Sequence, residues 1–207
     1  MRRKYSLELA RAIEKILKKT VQDYSFSRTD GTFCFVLPLG GFPRYVEGEI
    51  RVHDTDLNIY GLYPWKIPLD SLGQLLVFLA HANQGRRSGN FELSIDEGQL
   101  RYKCFLDCAG LEGPTPEMVI NALNCIELMF LRYSLGIHKL LWEELDAQQA
   151  LALCDDLVRS YYCVNNEATP AESAAAAGIR VPLELLQEDD SDLLELLRDM
   201  RAEDNIL

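Results

Sequence analysis

The stretch from Gly89 to Leu106 constrains the fold more than any other part of the chain, because it has the pattern of a β-hairpin. Apolar and polar residues alternate in both halves, which is the period-two pattern of a half-buried antiparallel strand. Phe91, Leu93 and Ile95 share one face of the first strand. The halves meet at an Asp-Glu-Gly turn, where Gly98 is expected to adopt a positive φ at little steric cost.

The periodicities around this hairpin predict an α+β fold, in which helices pack on an antiparallel sheet made of a three-strand meander plus the hairpin. The predicted meander strands are Thr32 to Leu39, Arg44 to Val52 and Leu57 to Tyr63. In the first of these, Cys34 and Val36 lie opposite the phenylalanines, a pattern that allows cover on both faces of the strand.

Four helices are predicted from apolar residues at helical spacing. They run from Leu9 to Val21, from Leu72 to about Asn83, from Thr115 through Tyr133, and from Ala147 to about Tyr162. Pro64 and Pro68 are expected to end the sheet, with Asp70 or Ser71 capping the second helix. Thr115-Pro116-Glu117 has the order of a cap, a first-position proline and an early acid, which predicts the start of the third helix.

Composition divides the chain into an α+β domain (residues 1–145), a helical extension (146–163), a linker (164–182) and an acidic tail (183–207). The linker is rich in Asn, Glu, Ala, Pro and Gly. In the tail, Leu193, Leu196, Leu197 and Met200 align along one side of a short amphipathic helix. A helix this short is marginal alone, so we expect it to fold only against another surface.

A formal net charge of −11 argues against a nucleic-acid partner or an anionic membrane partner. The first nineteen residues carry seven Lys and Arg against two Glu, whereas residues 184–207 carry nine acids against two Arg. These ends have the charge to attract each other within or between chains. Two solvated faces that never meet are the simpler interpretation, because exposed ion pairs are weak.

The pattern of the chain also predicts a cytoplasmic location. The start lacks the apolar segment of a secretory signal, and no uninterrupted apolar run of about 18 residues predicts a membrane span. The six cysteines are scattered through apolar patterns, so burial as small hydrophobic residues in a reducing compartment is the favoured interpretation.

No motif predicts catalysis, a metal site or a cofactor. The chain lacks Cys-x-x-Cys, His-Glu-x-x-His, Gly-x-Ser-x-Gly and a phosphate-binding loop. One alternative is a small enzyme or ligand-binding protein with a site near His53, Asp54 and His81. The segment from His53 to Asp56 is more simply explained as a turn, in which Asp and Thr side chains bind the local backbone.

The hairpin region resembles the YbjN family of bacterial proteins, whose fold is similar to that of type III secretion chaperones. The resemblance covers about Thr20 to Leu141, and its motifs are Ala82-Asn83, Gly89-Asn90-Phe91-Glu92-Leu93, Ile95, Gly98, Leu100-Arg101-Tyr102 and Leu106-Asp107. It implies a small cytoplasmic, often dimeric module for protein binding or regulation, and it brings no active site. Ser94 stands where the family tends to carry Asp, and the acidic segment beyond Leu145 has no counterpart.

We therefore expect a non-enzymatic, chaperone-like adaptor or regulator that binds a protein or peptide, or a second copy of itself as a homodimer. A structural subunit of a larger complex is a further alternative. The candidate binding residues are the second apolar side of the third helix, an aromatic pair, an arginine pair and the tail leucines: Met118, Cys125, Met129, Tyr63, Trp65, Arg86, Arg87, Leu193 and Leu197. The third helix needs cover on two sides, and the following helix is the alternative to a partner.

Overall fold

The computed structural model describes residues 4–21, 23–39, 42–143 and 145–164, with side chains as far as Asp156. The predicted linker beyond Val164 and the acidic tail, including Leu193 and Leu197, lie outside the described residues.

The described chain forms one six-stranded antiparallel sheet and four α-helices, which confirms the predicted α+β class. The strands are β1 Tyr24–Ser27, β2 Thr32–Pro38, β3 Tyr45–Val52, β4 Asp56–Lys66, β5 Asn90–Ser94 and β6 Gln99–Asp107. The helices are α1 Leu7–Thr20, α2 Leu72–Asn83, α3 Pro116–Trp142 and α4 Ala147–Val164. The strand order is β1-β2-β3-β4-β6-β5, so the hairpin joins the meander through its second strand.

The sequence analysis missed β1, which pairs antiparallel with β2 at one edge of the sheet. Four residues are too few for a clear periodic signal. Phe26 of β1 stacks on Phe33 of β2, with ring centroids 4.3 Å apart. This aromatic pair across the strands extends the core to the edge of the sheet.

The prediction that Pro64 ends the sheet is wrong, because β4 continues through it to Lys66. Proline has no N–H to donate to a strand ladder, and it is tolerated where the ladder is irregular. Leu62 pairs with Arg101 and Lys66 pairs with Gln99, so β4 bulges between these two pairs. The Gln99 side chain donates to the Tyr63 carbonyl at 2.7 Å, which holds the bulge.

The predicted hairpin is confirmed as β5 and β6, paired from Asn90 with Lys103 to Ser94 with Gln99. Gly98 has a φ of 61°, as the turn requires. Ile95 was expected on the buried face of the first strand. It lies instead in the loop and is 56% exposed, since the strand ends one residue earlier.

The helices cover one face of the sheet. α3 lies against β4 and β6, and it approaches closely at Gly61, where an added Cβ would lie 2.3 Å from the Ile126 side chain. The other face is open: Cys34 is exposed and Val36 is 57% exposed. β2 is therefore covered on one face only, although its sequence allowed cover on both.

Among the five cysteines whose side chains are described, Cys34 is the exposed one, and all five are free thiols. Cys104, Cys108 and Cys154 are buried, as expected of small apolar residues. Partial burial, followed by the nearby Glu49 carboxylate, raises the pKa of the Cys34 thiol above its ordinary value.

We expect iodoacetamide to label Cys34 before Cys104, Cys108 and Cys154, as measured by peptide mapping at several pH values. A raised pKa leaves less thiolate at neutral pH, so labelling should be slow at pH 7 and should accelerate above pH 9. Glu49→Gln should lower this pKa and speed labelling at pH 8, whereas Glu112→Gln should not. Earlier labelling of a buried cysteine would contradict the fold.

The predicted helical extension is part of the same core. α4 packs on α3 and α2, and Ala147, Ala150 and Cys154 are buried. The Gln149 amide donates to Asp146 Oδ1 at 2.8 Å, and Gln149 Oε1 accepts from the Asp146 amide, which forms a capping box. The following helix, rather than a partner, therefore supplies the second cover that α3 needs.

α3 is long and apolar enough to span a membrane by length and composition alone, with a mean hydropathy of 1.2 over its most apolar window. In this fold 56% of that window is buried inside the chain. Thr115 caps the helix by accepting from the Met118 amide, as predicted. The predicted cap of α2 is wrong: neither the Asp70 nor the Ser71 side chain accepts a capping hydrogen bond from the first turn, and a single 3₁₀ turn, Leu69–Ser71, leads into the helix.

Candidate protein-binding site

Five aromatic side chains from three separate parts of the chain meet at the end of β4. We call Phe42, Tyr63, Trp65, His138 and Trp142 the aromatic cluster. Trp65 is its centre: its ring lies 5.4 Å from Phe42, 5.2 Å from Tyr63, 6.0 Å from Trp142 and 6.5 Å from His138. Centroid separations near 5–6 Å are those of interacting aromatic pairs.

Three local features position these rings. Strand alternation places Tyr63 and Trp65 on the helix side of the sheet, and the Ile67 amide donates to Gly98 O at 2.9 Å just beyond the β4 bulge. His138 and Trp142 are four residues apart on the last turns of α3, so they share one face of that helix. Phe42 comes from the β2–β3 loop and stacks on Trp65 with an interplanar angle of 9°.

The cluster is buried at its base and open at its top. Tyr63 is 1% exposed and stacks on Phe130 of the core, whereas Phe42, Trp65 and Trp142 are 39–43% exposed. Large aromatic side chains held rigidly and left partly open are the type of residue that dominates protein interfaces. The arrangement therefore suits an apolar or aromatic side chain of a partner.

Two polar atoms of the cluster have no hydrogen-bond partner among the described residues, namely the Tyr63 hydroxyl and His138 Nδ1. Burial raises the pKa of Tyr63 well above its ordinary value, so the phenol stays protonated and remains a donor. An unpaired buried polar atom costs roughly 1–3 kcal/mol. Both atoms lie in the buried base of the cluster, so the surface that it presents to a partner is apolar and aromatic.

The predicted binding residues of α3 do not form an exposed surface. Met129 is buried at 4% exposure, and Cys125 is half-buried beside the hairpin, with its Sγ 3.7 Å from the Tyr102 hydroxyl. Met118 is half-buried in the first turn of the helix. The side chains of Met129 and Cys125, which stood out as apolar in the sequence, pack against the chain's own domain.

The predicted arginine pair divides into two environments. Arg86 binds its own domain: its Nε donates to Ala82 O at 3.1 Å and its Nη2 donates to the Tyr133 hydroxyl at 2.8 Å. It closes the carboxyl end of α2, where cations are favoured by the helix dipole. Arg87 is exposed in the loop before β5.

The alternative site near His53, Asp54 and His81 is not assembled as a metal centre. His53 lies in the β3–β4 turn, its amide donates to Asp56 O at 2.9 Å, and its ring nitrogen lies 2.9 Å from Asn58 Nδ2. His81 is exposed on α2. Within the part of the chain that the structure describes, no three His, Cys, Asp or Glu side chains group closely enough to bind a metal.

Tyr60 lies on the same strand as Tyr63 and Trp65, but strand alternation puts it on the open face of the sheet. The guanidinium groups of Arg51 and Arg101 lie 5.0 and 4.8 Å from its ring centroid. Glu49 pairs with Arg51, and Glu92 pairs with Arg101 at 3.0 Å. This arrangement buries Tyr60 under paired charges, so it is a structural element of the open face.

Sequence reasoning found Tyr63 and Trp65 but not Phe42, His138 or Trp142. The spacing of His138 and Trp142 signals a shared helix face, yet nothing in the sequence indicates that this face meets the end of β4. That juxtaposition is a product of the tertiary fold.

A scan against protein-family models finds no match to this chain, and a search of curated proteins finds no significant similarity. The likeness to the YbjN family therefore stays a prediction.

Proposed function

We propose that this chain is a non-enzymatic module that binds a protein or peptide partner through the aromatic cluster. The observation that carries the proposal is the partial exposure of Phe42, Trp65 and Trp142, at 39–43%, on a base formed by the buried Tyr63. A ring set whose rotamers are fixed by mutual stacking loses little conformational entropy on binding. Such sites bind by shape and apolar burial, and a few aromatic residues supply most of the affinity.

The chaperone-like or regulatory role and the cytoplasmic location that the resemblance implies are part of this proposal. Both agree with the excess of acids in the chain, with the free thiols of the five described cysteines and with the ion pair of Glu92 and Arg101 on the open sheet face. The partner segment that fits the cluster is short and carries a large apolar or aromatic side chain.

The test is a selection of peptides from a displayed library on the full chain, followed by titration of the selected peptides. Trp65 and Trp142 are the two tryptophans of the chain, so intrinsic tryptophan emission reports on the cluster alone. We expect binding to change this emission. Trp65→Ala should weaken binding at least tenfold, by about 1.4 kcal/mol, since interface tryptophans are typical hot spots.

Phe105→Ala is the matched control, because Phe105 is an equally exposed aromatic residue, at 58%, on the open face of the sheet. Binding of the selected peptides should be unchanged in this variant. If the selected peptides bind Trp65→Ala as tightly as the parent chain, the aromatic cluster is not the binding site. Equal losses of affinity in Trp65→Ala and Phe105→Ala would contradict the proposal in the same way.

A further inference from the structure

A groove lies between α1 and the segment that leads into α3, away from the aromatic cluster. It has a volume of about 520 Å³, within the range of roughly 300–1,000 Å³ typical of pockets that receive ligands. Its lining includes the apolar side chains of Ala12, Ile16, Pro114 and Ile120. We call it the α1–α3 groove.

Two of the three charged residues that line this groove are positive. Lys15 and Lys19 of α1 line it from one side and are exposed, and Glu112 lines it from the other. Lys18, which is next to Lys19, already pairs with Glu14 at 3.0 Å. Among the residues that the structure describes, no acid forms an ion pair with Lys15 or Lys19. The groove therefore presents two unmatched cations beside an apolar surface.

The chain itself contains a segment of complementary chemistry. Residues 192–200 have the sequence DLLELLRDM, with Leu193, Leu196, Leu197 and Met200 at helical spacing and three acids between and around them. Nine residues of α-helix would span about 14 Å, against about 21 Å for the fourteen residues of α1. An apolar stripe flanked by acids matches an apolar groove flanked by lysines.

The intervening chain is long enough for this contact. The last described residue is Val164, and residues 165–191 separate it from the segment. A flexible chain of 27 residues would have a root-mean-square span of roughly 30 Å, and a fully extended one would reach about 90 Å. A domain of about 160 residues has a radius of gyration near 15 Å, so the groove is within reach from any exit point.

We propose that the α1–α3 groove is the docking site of the chain's own acidic segment, residues 192–200. The leucines enter the apolar groove, and the acids lie toward Lys15 and Lys19. Because the segment is tethered, its effective concentration at the groove is in the millimolar range, and a weak contact is sufficient. This contact does not depend on the aromatic cluster.

Hydrogen exchange of the full chain, measured by mass spectrometry, tests this proposal. We expect the amides of residues 192–200 to exchange about tenfold more slowly than those of residues 165–182. The double variant Lys15→Glu and Lys19→Glu should abolish this protection, and 0.5 M salt should weaken it by screening. Arg44→Glu is the control, because it reverses an exposed charge in the β2–β3 loop and should leave the protection unchanged.

Three results would overturn the proposal. The first is exchange of residues 192–200 as fast as that of residues 165–182 in the parent chain. The second is protection that survives the double charge reversal while α3 exchanges normally, which shows that the variant is folded. The third is protection that rises with protein concentration, which would assign the segment to a second copy rather than to its own chain.

Discussion

Replacing Gly136 with Ala should lower the free energy of unfolding by about 2 kcal/mol, even though Ala is the better helix former. Gly136 lies in the last third of α3, where α4 packs against it. An added Cβ would lie 2.5 Å from Cys154 Sγ and 2.8 Å from the carbonyl oxygen of Ala150. The second of these atoms belongs to the backbone, so a side-chain rotation cannot relieve the overlap and the two helices must separate.

Gly73→Ala is the matched control, because Gly73 is also a helical glycine and an added Cβ there meets no atom within 4 Å. This variant should leave the free energy of unfolding unchanged or raise it by up to about 1 kcal/mol. Urea unfolding followed by tryptophan emission measures both. Equal effects of the same sign in the two variants would contradict the close packing of α4 on α3, and with it the conclusion that α4 belongs to the core.

Replacing Asn83 with Ala should lower the free energy of unfolding by a similar amount, about 2 kcal/mol. Asn83 is the last residue of α2, and its side-chain amide makes two hydrogen bonds to the backbone of Phe91 on the edge strand β5. The Phe91 amide donates to Oδ1 at 2.7 Å, and Nδ2 donates to the Phe91 carbonyl at 3.0 Å. Each bond contributes roughly 1 kcal/mol, and the alanine variant leaves the Phe91 amide without its acceptor and the Phe91 carbonyl with only the longer bond from Asn90.

Asn83→Asp provides a sharper test than alanine, because it keeps the acceptor and loses the donor. The carboxylate would then face the Phe91 carbonyl oxygen, so we expect a loss at least as large as that of the alanine variant. Asn90→Ala is the control: Asn90 is exposed and makes one bond of 3.3 Å to the same carbonyl. Its effect should stay within about 0.5 kcal/mol. If substitution of Asn83 left the free energy of unfolding unchanged, the hydrogen bonds from α2 to the edge strand would not stabilise the fold.

The elements that the sequence predicted well are those whose signal is local. The hairpin follows from alternation and from one glycine at a positive φ, and Gly98 has that conformation. The start of α3 follows from Thr115-Pro116-Glu117, whose cap is formed by groups three residues apart. In these cases the residues that decide the structure are neighbours in the chain, so their pattern is visible without the fold.

The extent of β4 and the cover of α3 depend on groups far apart in the chain. Pro64 stays inside β4 because Gln99, on another strand, holds the bulge around it. α3 has two apolar sides because α4 covers one of them through the small residues Gly136 and Ala150. Composition alone presented α4 as an extension, since a helix with one apolar side looks the same whether it covers its own domain or a partner.

For the candidate site, the sequence indicated two of the five rings, Tyr63 and Trp65, and predicted that they belong to a protein-binding surface. Tyr63 and Trp65 stand out because polar-tipped aromatics lie at a strand end, whereas strand alternation places the neighbouring Tyr60 under Arg51 and Arg101. Period-two alternation, visible in the sequence, places Tyr63 and Trp65 on one face of β4. The meeting of that face with Phe42, His138 and Trp142 was not visible.

The sequence by itself determined the α+β class, the strand pairing of the hairpin and meander, and the uneven charge of the two ends. These depend on periodicity and composition, which are properties of the chain alone. Tertiary structure decided which apolar surfaces are buried and which remain open, because burial depends on what packs opposite each face. The aromatic cluster is open for that reason: α4 covers the flank of α3, and no described element covers the rings of Phe42, Trp65 and Trp142 completely.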